Sequence, residues 1–509
     1  MMEKAFWGMI AGCALAFGVL LTMYLNKTGV IDLSPEATTE AVEVETTKEP
    51  AMDRDELYAL VYGDEWTEED IVPETESEEE TEEEIIITYT EEVDKSGLVD
   101  PERNDNYDHF MPEDLEQSEE SEEQTEDEED TPESKENAEY EYDLYKDHVV
   151  ITKYLGKKSD LVIPDTIDGQ PVTEIEKSAF SNAKKLVRVE IPNSVTTMGE
   201  NVFKGDAALV EVFMPESLTS LGKGAFDGCS NLVKLTIPDG VTKILEKTFN
   251  ECSAMTRISI PDGVTEIGNE AFNGCSSLQK LTLPEELISI GDEAFCECLK
   301  LEKIVIPDNV TTIGESAFEG CAEATSIKMG DLVDTIGEMC FKSCYKVETV
   351  KLSPALTEIP KETFMDNTSL TTCKIKANVT SIGESAFENC AALTDMSIPS
   401  NVETIEASAF ANCKALSALS FKSGVTSIGD NAFTACVAIE SVTFPKSLIS
   451  IGAEAFMGCT ALSDISIPKN TLSVESAAFQ GCAFKEVTVN KICSYRSDSF
   501  PDGTTINNY

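Results

Sequence analysis

The feature that most constrains this 509-residue chain is a phenylalanine that recurs every 23 residues without an insertion. The fourteen members of the series are residues 180, 203, 226, 249, 272, 295, 318, 341, 364, 387, 410, 433, 456 and 479. Self-similarity at a fixed period of this length is typical of repeat architectures. Because one unit of this size cannot bury both of its apolar edges, we expect the units to stack into a continuous core.

Each unit follows the pattern L-x-x-L-x-I-P-x-x-V-x-x-I-G-x-x-A-F-x-x-C-x-x. The alternation of Leu235 and Ile237 predicts a short strand with one face inward, and Pro238 ends it because proline cannot donate to a ladder. The V-x-x-I segment predicts a second short extended segment. Glycine stands four residues before the phenylalanine in nine units, where we expect it to allow a tight corner. The A-F-x-x-C segment predicts one helical turn that buries Ala, Phe and Cys.

This unit resembles the BspA-like leucine-rich repeats of bacterial cell-surface proteins, and the resemblance covers roughly residues 160–490. It implies a repeat solenoid with short parallel strands and one helical turn per repeat. It also implies a surface-exposed binding module, often linked to adhesion, without catalytic residues. The Phe364 unit departs most from the pattern, with Pro360 at the glycine position, and is a candidate bend or partner site. The structural repeat positions include Phe226, Phe249, Phe272, Phe295, Phe318, Cys229, Cys252, Cys275, Cys298 and Cys321.

Cysteine stands three residues after the phenylalanine in eleven units, which therefore hold eleven of the 16 cysteines. Stacked units place successive thiols about 5 Å apart, within disulfide range, but in-register side chains point the same way. One column cannot supply the tetrahedral ligands of zinc, and no histidine within the repeats could activate a nucleophile. We interpret these cysteines as small buried hydrophobes with free thiols, which favours a reducing or oxygen-poor habitat.

Catalytic motifs are missing from the sequence. The chain has two histidines, His109 and His148, and both precede the repeats. It has no P-loop, no G-x-G-x-x-G after a strand and no H-E-x-x-H. We therefore predict that the protein is not an enzyme and has no cofactor, no metal and no small-molecule substrate.

Charge divides the chain into zones. Residues 31–140 hold 44 Asp and Glu against 5 Lys and Arg, which gives −39 of the total net charge of −57. Low hydrophobicity with this much like charge predicts a disordered, extended linker. Ahead of it, the 21 residues between Lys4 and Asn26 carry no charge, which is enough to span a hydrocarbon core of about 30 Å. We predict an uncleaved signal anchor, with a cleaved signal peptide as the alternative.

The expected organisation follows from these zones. It comprises a short cytoplasmic N-terminus (1–4), a transmembrane signal anchor (5–25), an acidic disordered stalk (26–143), an N-terminal cap with the start of the first repeat (144–177), fourteen repeats (178–489) and a C-terminal cap or tail (490–509). The simplest topology is a single-pass protein of the cell membrane with its repeat domain outside. An intracellular scaffold is the alternative.

Seven consecutive units place a cation on the outward side of the first strand. These cations are Lys234, Arg257, Lys280 and Lys303, fifteen residues before the phenylalanine, and then Lys328, Lys351 and Lys374, thirteen residues before it. Like charges about 5 Å apart repel by roughly 1 kcal/mol or less per pair in water, so their retention favours an anionic partner. The alternative is a solvated face produced by repeat duplication, with flanking acids such as Glu302 and Glu348.

The ligands that fit such a stripe are an acidic protein, an acidic glycan or the acidic linker of the same chain. Nucleic acid is an improbable partner, because the chain is strongly negative and no aromatic residues interleave with the cations. We therefore expect a membrane-anchored cell-surface protein that binds a protein or glycan partner through the sheet face of its solenoid. The alternative is a passive envelope spacer without a specific ligand.

Overall fold

The structure is a computed structural model that describes residues 131–509. These residues form a solenoid of about sixteen turns, built from short parallel strands joined by turns. Each turn contains a first strand, a second strand and a turn segment that carries the phenylalanine. No helix within residues 131–509 is long and apolar enough to cross a membrane. The predicted anchor at 5–25 and the linker up to residue 130 lie outside the described residues.

The first strands stack in parallel along the solenoid, because residues 23 apart become register partners. The pairs Ile258–Leu281 and Ile327–Val350 illustrate this register, with the apolar side chains inward. The first strands are Asp160–Val162, Arg188–Glu190, Glu211–Phe213, Arg257–Ser259, Lys280–Thr282, Ile304–Val305, Ser326–Lys328, Thr349–Lys351, Thr372–Cys373, Asp395–Ile398, Ala418–Phe421, Ser441–Thr443, Asp464–Ser466, Glu486–Val489 and Thr505–Asn508.

The second strands form three sheet segments with the same register. The first segment comprises Val149–Tyr154, Gln170–Ile175, Thr197–Met198 and Ser220–Leu221. The second comprises Lys243–Ile244, Glu266–Ile267, Ser289–Ile290, Thr312–Ile313 and Thr335–Ile336. The third comprises Glu358–Ile359, Ser381–Ile382, Thr404–Ile405, Ser427–Ile428, Ser450–Ile451, Ser473–Val474 and Ser494–Tyr495.

The two interruptions between these segments fall in the units that have Leu245 and Pro360 at the glycine position. Pro360 has no N–H, so it cannot make the bond that Gly337 makes to the carbonyl oxygen of Ile313, at 2.8 Å. The irregularity that the sequence predicts for the Phe364 unit is therefore a break in the second-strand ladder.

The phenylalanine segment is not the helical turn that we predicted. Its backbone N–H groups alternate: Glu270 and Phe272 donate to the next unit, whereas Cys275 donates back to Phe272. This alternation needs a left-handed residue on each side of the ring, and φ is +54° at Glu270 and +71° at Gly274. Positive φ recurs two residues before and two residues after all fourteen phenylalanines. The segment is therefore a third hydrogen-bonded ladder between units.

The glycine column also has a different cause from the one we predicted. None of the nine glycines four residues before a phenylalanine has a positive φ. A Cβ on Gly314 would instead lie 2.4 Å from the backbone nitrogen of Asp292. In the nine units with glycine, the backbones of successive units approach too closely for a side chain, and the chain does not turn sharply there.

The core is a column of aromatic rings, one per turn. The fourteen phenylalanines lie 5.0 to 5.7 Å apart between adjacent ring centroids, and all are buried. Tyr154 extends the column at its N-terminal end and Phe500 at its C-terminal end. Such aromatic pairs contribute about 0.5–1.5 kcal/mol each beyond the burial of apolar area.

The N-terminal boundary of the folded unit lies earlier than we predicted. Residues 133–143 were assigned to the disordered stalk, but Glu133–Glu136 and Tyr140–Leu144 are antiparallel strands that close the second-strand sheet. Tyr140 and Tyr142 are buried against the first turns, which explains why this segment folds despite its acidic neighbours. At the other end, residues 490–509 add one more rung to each sheet.

Candidate binding surface

The cation stripe, defined as the seven cations from Lys234 to Lys374, lies on or beside the first strands in two columns, because Lys328 is the register partner of Val305 and not of Lys303. Arg257 and Lys280 are register partners, and so are Lys328 and Lys351. At about 4.8 Å per rung, the six steps of the row cover roughly 29 Å along the solenoid. All seven side chains belong to exposed residues, because their strand neighbours point inward into the core.

Within residues 131–509, most of the stripe lacks a counterion. Lys234 pairs with Glu211 at 3.5 Å, and Lys351 pairs with Asp331 at 3.3 Å. The other five cations make no ion pair with any residue in the range 131–509. These five are Arg257, Lys280, Lys303, Lys328 and Lys374.

Other cations of the same repeats behave differently. Lys223 pairs with Glu246 at 3.2 Å and Lys243 pairs with Glu266 at 2.7 Å, in each case one turn further along. Exposed pairs of this kind are worth about 1 kcal/mol or less. Cations elsewhere in the repeats therefore have a carboxylate one turn away, whereas five of the seven stripe cations have no such partner within residues 131–509.

The phenylalanine and cysteine positions identified from the sequence are structural. All are fully buried, and the fifteen cysteines of residues 131–509 are unpaired. Burial raises the pKa of the Cys275 thiol to about 12, so it stays protonated at neutral pH. A thiol that stays protonated is neither a nucleophile nor a metal ligand, which agrees with the interpretation of this column as packing.

A groove of about 580 Å³ runs along the glycine column. Its floor is formed by Gly268, Gly291, Gly314 and Gly337, and polar side chains line its sides. These include Glu266, Asn269, Ser289, Asp292, Thr312, Glu315, Thr335 and Glu338. Asp292 uses Oδ1 to accept the backbone N–H of Glu315 at 2.9 Å, so at least part of the acidic lining supports the stack itself. Within residues 131–509 no three metal-ligating side chains converge, here or elsewhere.

One buried carboxyl escaped the sequence analysis. Asp206 occupies the cysteine position of the Phe203 unit and is fully buried. Burial raises the pKa of this carboxyl from its ordinary value of 3.8 to about 7, and the backbone of Ala183 offsets part of the shift. The signal was present in the sequence, because an acid replaces cysteine in a column that we had assigned to the core.

Leucine and isoleucine face inward from stacked parallel strands, and a cysteine lies beside the ring column in eleven of the turns. These features define a leucine-rich-repeat solenoid. The chain belongs to the family of BspA type leucine rich repeat regions, which matches residues 173–298, 288–413 and 380–507. This is a family of surface repeat scaffolds that generally mediate protein interactions, and not a family of enzymes.

Solved structures of leucine-rich repeat proteins resemble this chain. A leucine-rich repeat protein from Bacteroides ovatus is 27% identical, with 73% of this chain and 98% of that chain covered and a TM-score of 0.56. A leucine rich cell surface protein from Faecalibacterium prausnitzii is 26% identical, with 74% and 95% covered and a TM-score of 0.42. No curated protein matches the chain.

Proposed function

We propose that the protein is a cell-surface scaffold, anchored by its N-terminal apolar segment, that binds an anionic partner through the cation stripe. Five stripe cations without an ion pair within residues 131–509 are the observation that carries this proposal. The chain has 95 Asp and Glu and a net charge of −57, yet these five cations remain exposed and without an ion pair within residues 131–509. An incoming anion would replace repulsion between neighbouring cations by attraction to its own charges.

The proposal places the N-terminal apolar segment in the membrane and the repeat domain outside the cell. The 21 uncharged residues between Lys4 and Asn26 are long enough to span a bilayer, and the short N-terminus is easily retained inside. Membership of a family of surface repeat proteins supports the same orientation. Protease treatment of intact cells tests it: degradation of the repeat array supports an outside location, and full protection would show an intracellular scaffold.

The binding function is tested against a passive spacer by reversing the stripe. Cells that carry Lys280→Glu, Lys303→Glu, Lys328→Glu and Lys351→Glu together should lose association with partner cells or surfaces, while the protein remains at wild-type abundance. The matched control reverses Lys184, Lys414, Lys485 and Lys491, which are also exposed but lie off the stripe. Unchanged association of the stripe variant would instead establish the spacer.

A further inference from the structure

We infer that the partner is an acidic protein segment that also carries apolar side chains, and that these bind a patch adjoining the stripe. We call this the apolar patch; its members are Val162, Val187, Val210, Phe213 and Val233. The inference rests on the proposed function and deepens it, because it names the chemical class of the ligand.

Three valines form the first row of the apolar patch. Val187, Val210 and Val233 occupy the same position in three consecutive units, and each begins the run into a first strand. Their backbones are linked by N–H to carbonyl bonds, from Val210 to Val187 at 2.8 Å and from Val233 to Val210 at 2.9 Å. Their exposed fractions are 39%, 37% and 38%. The next units carry Thr256, Gln279 and then Glu302 at this position, so the apolar row is local and is not a property of the repeat.

A second row, with Glu190 at its centre, crosses the outward side of the first strands Asp160–Val162, Arg188–Glu190 and Glu211–Phe213. Val162 is 65% exposed and Phe213 is 40% exposed, and both are register partners of Glu190, from opposite sides. The guanidinium of Arg188 lies 4.5 Å from the centroid of the Phe213 ring. This cation–π contact holds the ring on the surface in a fixed position.

The apolar patch and the stripe are continuous. Val233 immediately precedes Lys234, the first stripe cation, and Val305 is 49% exposed as the register partner of Lys328 within the stripe. A ligand that lies along the cations therefore meets apolar surface at one end and at one point in the middle. From the turn of Val162 to that of Lys374 the surface covers nine rungs, or about 43 Å. An extended peptide of roughly 13 residues would cover that length.

This combination favours a polypeptide over a polysaccharide. A sulfated or carboxylated glycan would satisfy the cations, but it offers hydroxyl groups to the valine rows and gains little from covering them. A peptide with Glu or Asp along most of its length and aliphatic or aromatic residues near one end buries apolar area and pairs its carboxylates at the same time. Charge complementarity selects the partner, and the apolar patch adds affinity that salt does not screen.

The test uses the full chain in detergent micelles and two labelled probes of matched length, poly-glutamate and a random copolymer of glutamate and tyrosine. We expect the copolymer to bind at least about tenfold more tightly than poly-glutamate, because it alone can bury apolar side chains on the patch. In about 0.5 M salt, where the screening length falls to roughly 4 Å, poly-glutamate should dissociate first.

The decisive variant replaces Val187, Val210, Phe213 and Val233 by serine. It should bind both polymers equally, at the affinity that the wild type shows for poly-glutamate, and that retained binding demonstrates that the variant is folded. The matched control, Val437→Ser with Ile449→Ser, Leu472→Ser and Tyr495→Ser, removes the same number of similarly exposed side chains elsewhere and should keep the tenfold preference.

Equal binding of both polymers by the wild type would overturn this inference while leaving the proposed function intact. Binding of a sulfated polysaccharide that exceeds the copolymer and is unaffected by the serine variant would also overturn it, in favour of a glycan. If neither polymer binds, the proposed function fails, and the inference fails with it.

Discussion

The thiol of Cys252 donates a hydrogen bond of 3.3 Å to the carbonyl oxygen of Phe226, one turn earlier in the solenoid. The same bond links all eleven cysteines of the column to the preceding phenylalanine, at 3.1 to 3.5 Å. The cysteine is therefore more than a small apolar side chain: it fills the space beside the ring column and donates a second hydrogen bond to a carbonyl oxygen that already accepts a backbone N–H, as that of Phe226 does from Cys229 at 3.0 Å.

Removing one such thiol should destabilise the solenoid. Cys298→Ala loses a buried sulfur and one of the two hydrogen bonds to the carbonyl oxygen of Phe272, which should cost about 1–3 kcal/mol of the free energy of unfolding. Cys296→Ala, two residues earlier and half-buried, should cost about 0.5 kcal/mol or less. Urea denaturation followed by circular dichroism measures both. Equal losses for the two variants would show that the column position has no special role.

Asp206 should make the stability of the fold depend on pH. Because the pKa of its carboxyl is about 7 in the folded chain and near 3.8 when unfolded, the folded state holds a proton that the unfolded state releases in between. The contribution of Asp206 to the free energy of unfolding is therefore most favourable below about pH 4. It falls as the pH rises from about 4 to 7 and does not change further above about pH 7. The full effect is on the order of 4 kcal/mol.

Asp206→Cys tests this directly, because it restores the residue that the repeat uses elsewhere. The variant should be more stable than the wild type at pH 8, by an amount that shrinks to little at pH 4. Asp464→Asn, which removes an exposed carboxylate from a first strand, should follow the wild-type curve. A decline between pH 4 and 7 that persists unchanged in Asp206→Cys would assign the titration to another group.

The glycine column predicts a contrast between two chemically identical substitutions. Gly314→Ala places a Cβ within 2.5 Å of backbone atoms of the previous unit, so successive backbones must separate, at a cost of about 2 kcal/mol or more. Gly263→Ala meets no atom within 4 Å and has no positive φ, so it should be neutral or stabilise by about 0.5 kcal/mol. The midpoints of thermal unfolding of the two variants, compared with that of the wild type, test this contrast. A Gly314→Ala variant as stable as the wild type would contradict the close approach of stacked backbones.

Much of this fold could be predicted from periodicity, because a 23-residue register forces every column to repeat. The inward positions of Leu235 and Ile237 and the burial of the phenylalanines and cysteines follow from that register, although Leu235 is only partly buried. The ladder of the phenylalanine segment was missed, because short-range spacing of A-F-x-x-C fits a helical turn equally well. Glycine or asparagine two residues after the ring, as at Gly205 and Asn389, was the signal for left-handed backbone.

The position of the stripe cations could be predicted from the sequence, but their lack of ion pairs and the apolar patch beside them could not. The cations could be placed outward from the strand alternation, but whether Arg257 or Lys280 pairs with a carboxylate depends on which side chains approach each other across units. Lys223 and Lys243 are exposed cations like those of the stripe, yet each pairs with a glutamate one turn away. The valine row beside Lys234 likewise needed the structure, because the residue that begins each first strand is neither clearly inward nor clearly outward in the alternation.

The most direct test of the central claim is the affinity of the full chain for poly-glutamate before and after reversal of the stripe. We predict that Lys280→Glu, Lys303→Glu, Lys328→Glu and Lys351→Glu together lower the affinity at low salt by about a hundredfold or more, whereas the same reversal at Lys184, Lys414, Lys485 and Lys491 changes it by less than about threefold. Equal losses in the two variants would show that only net charge matters, and would contradict a binding surface on the first strands.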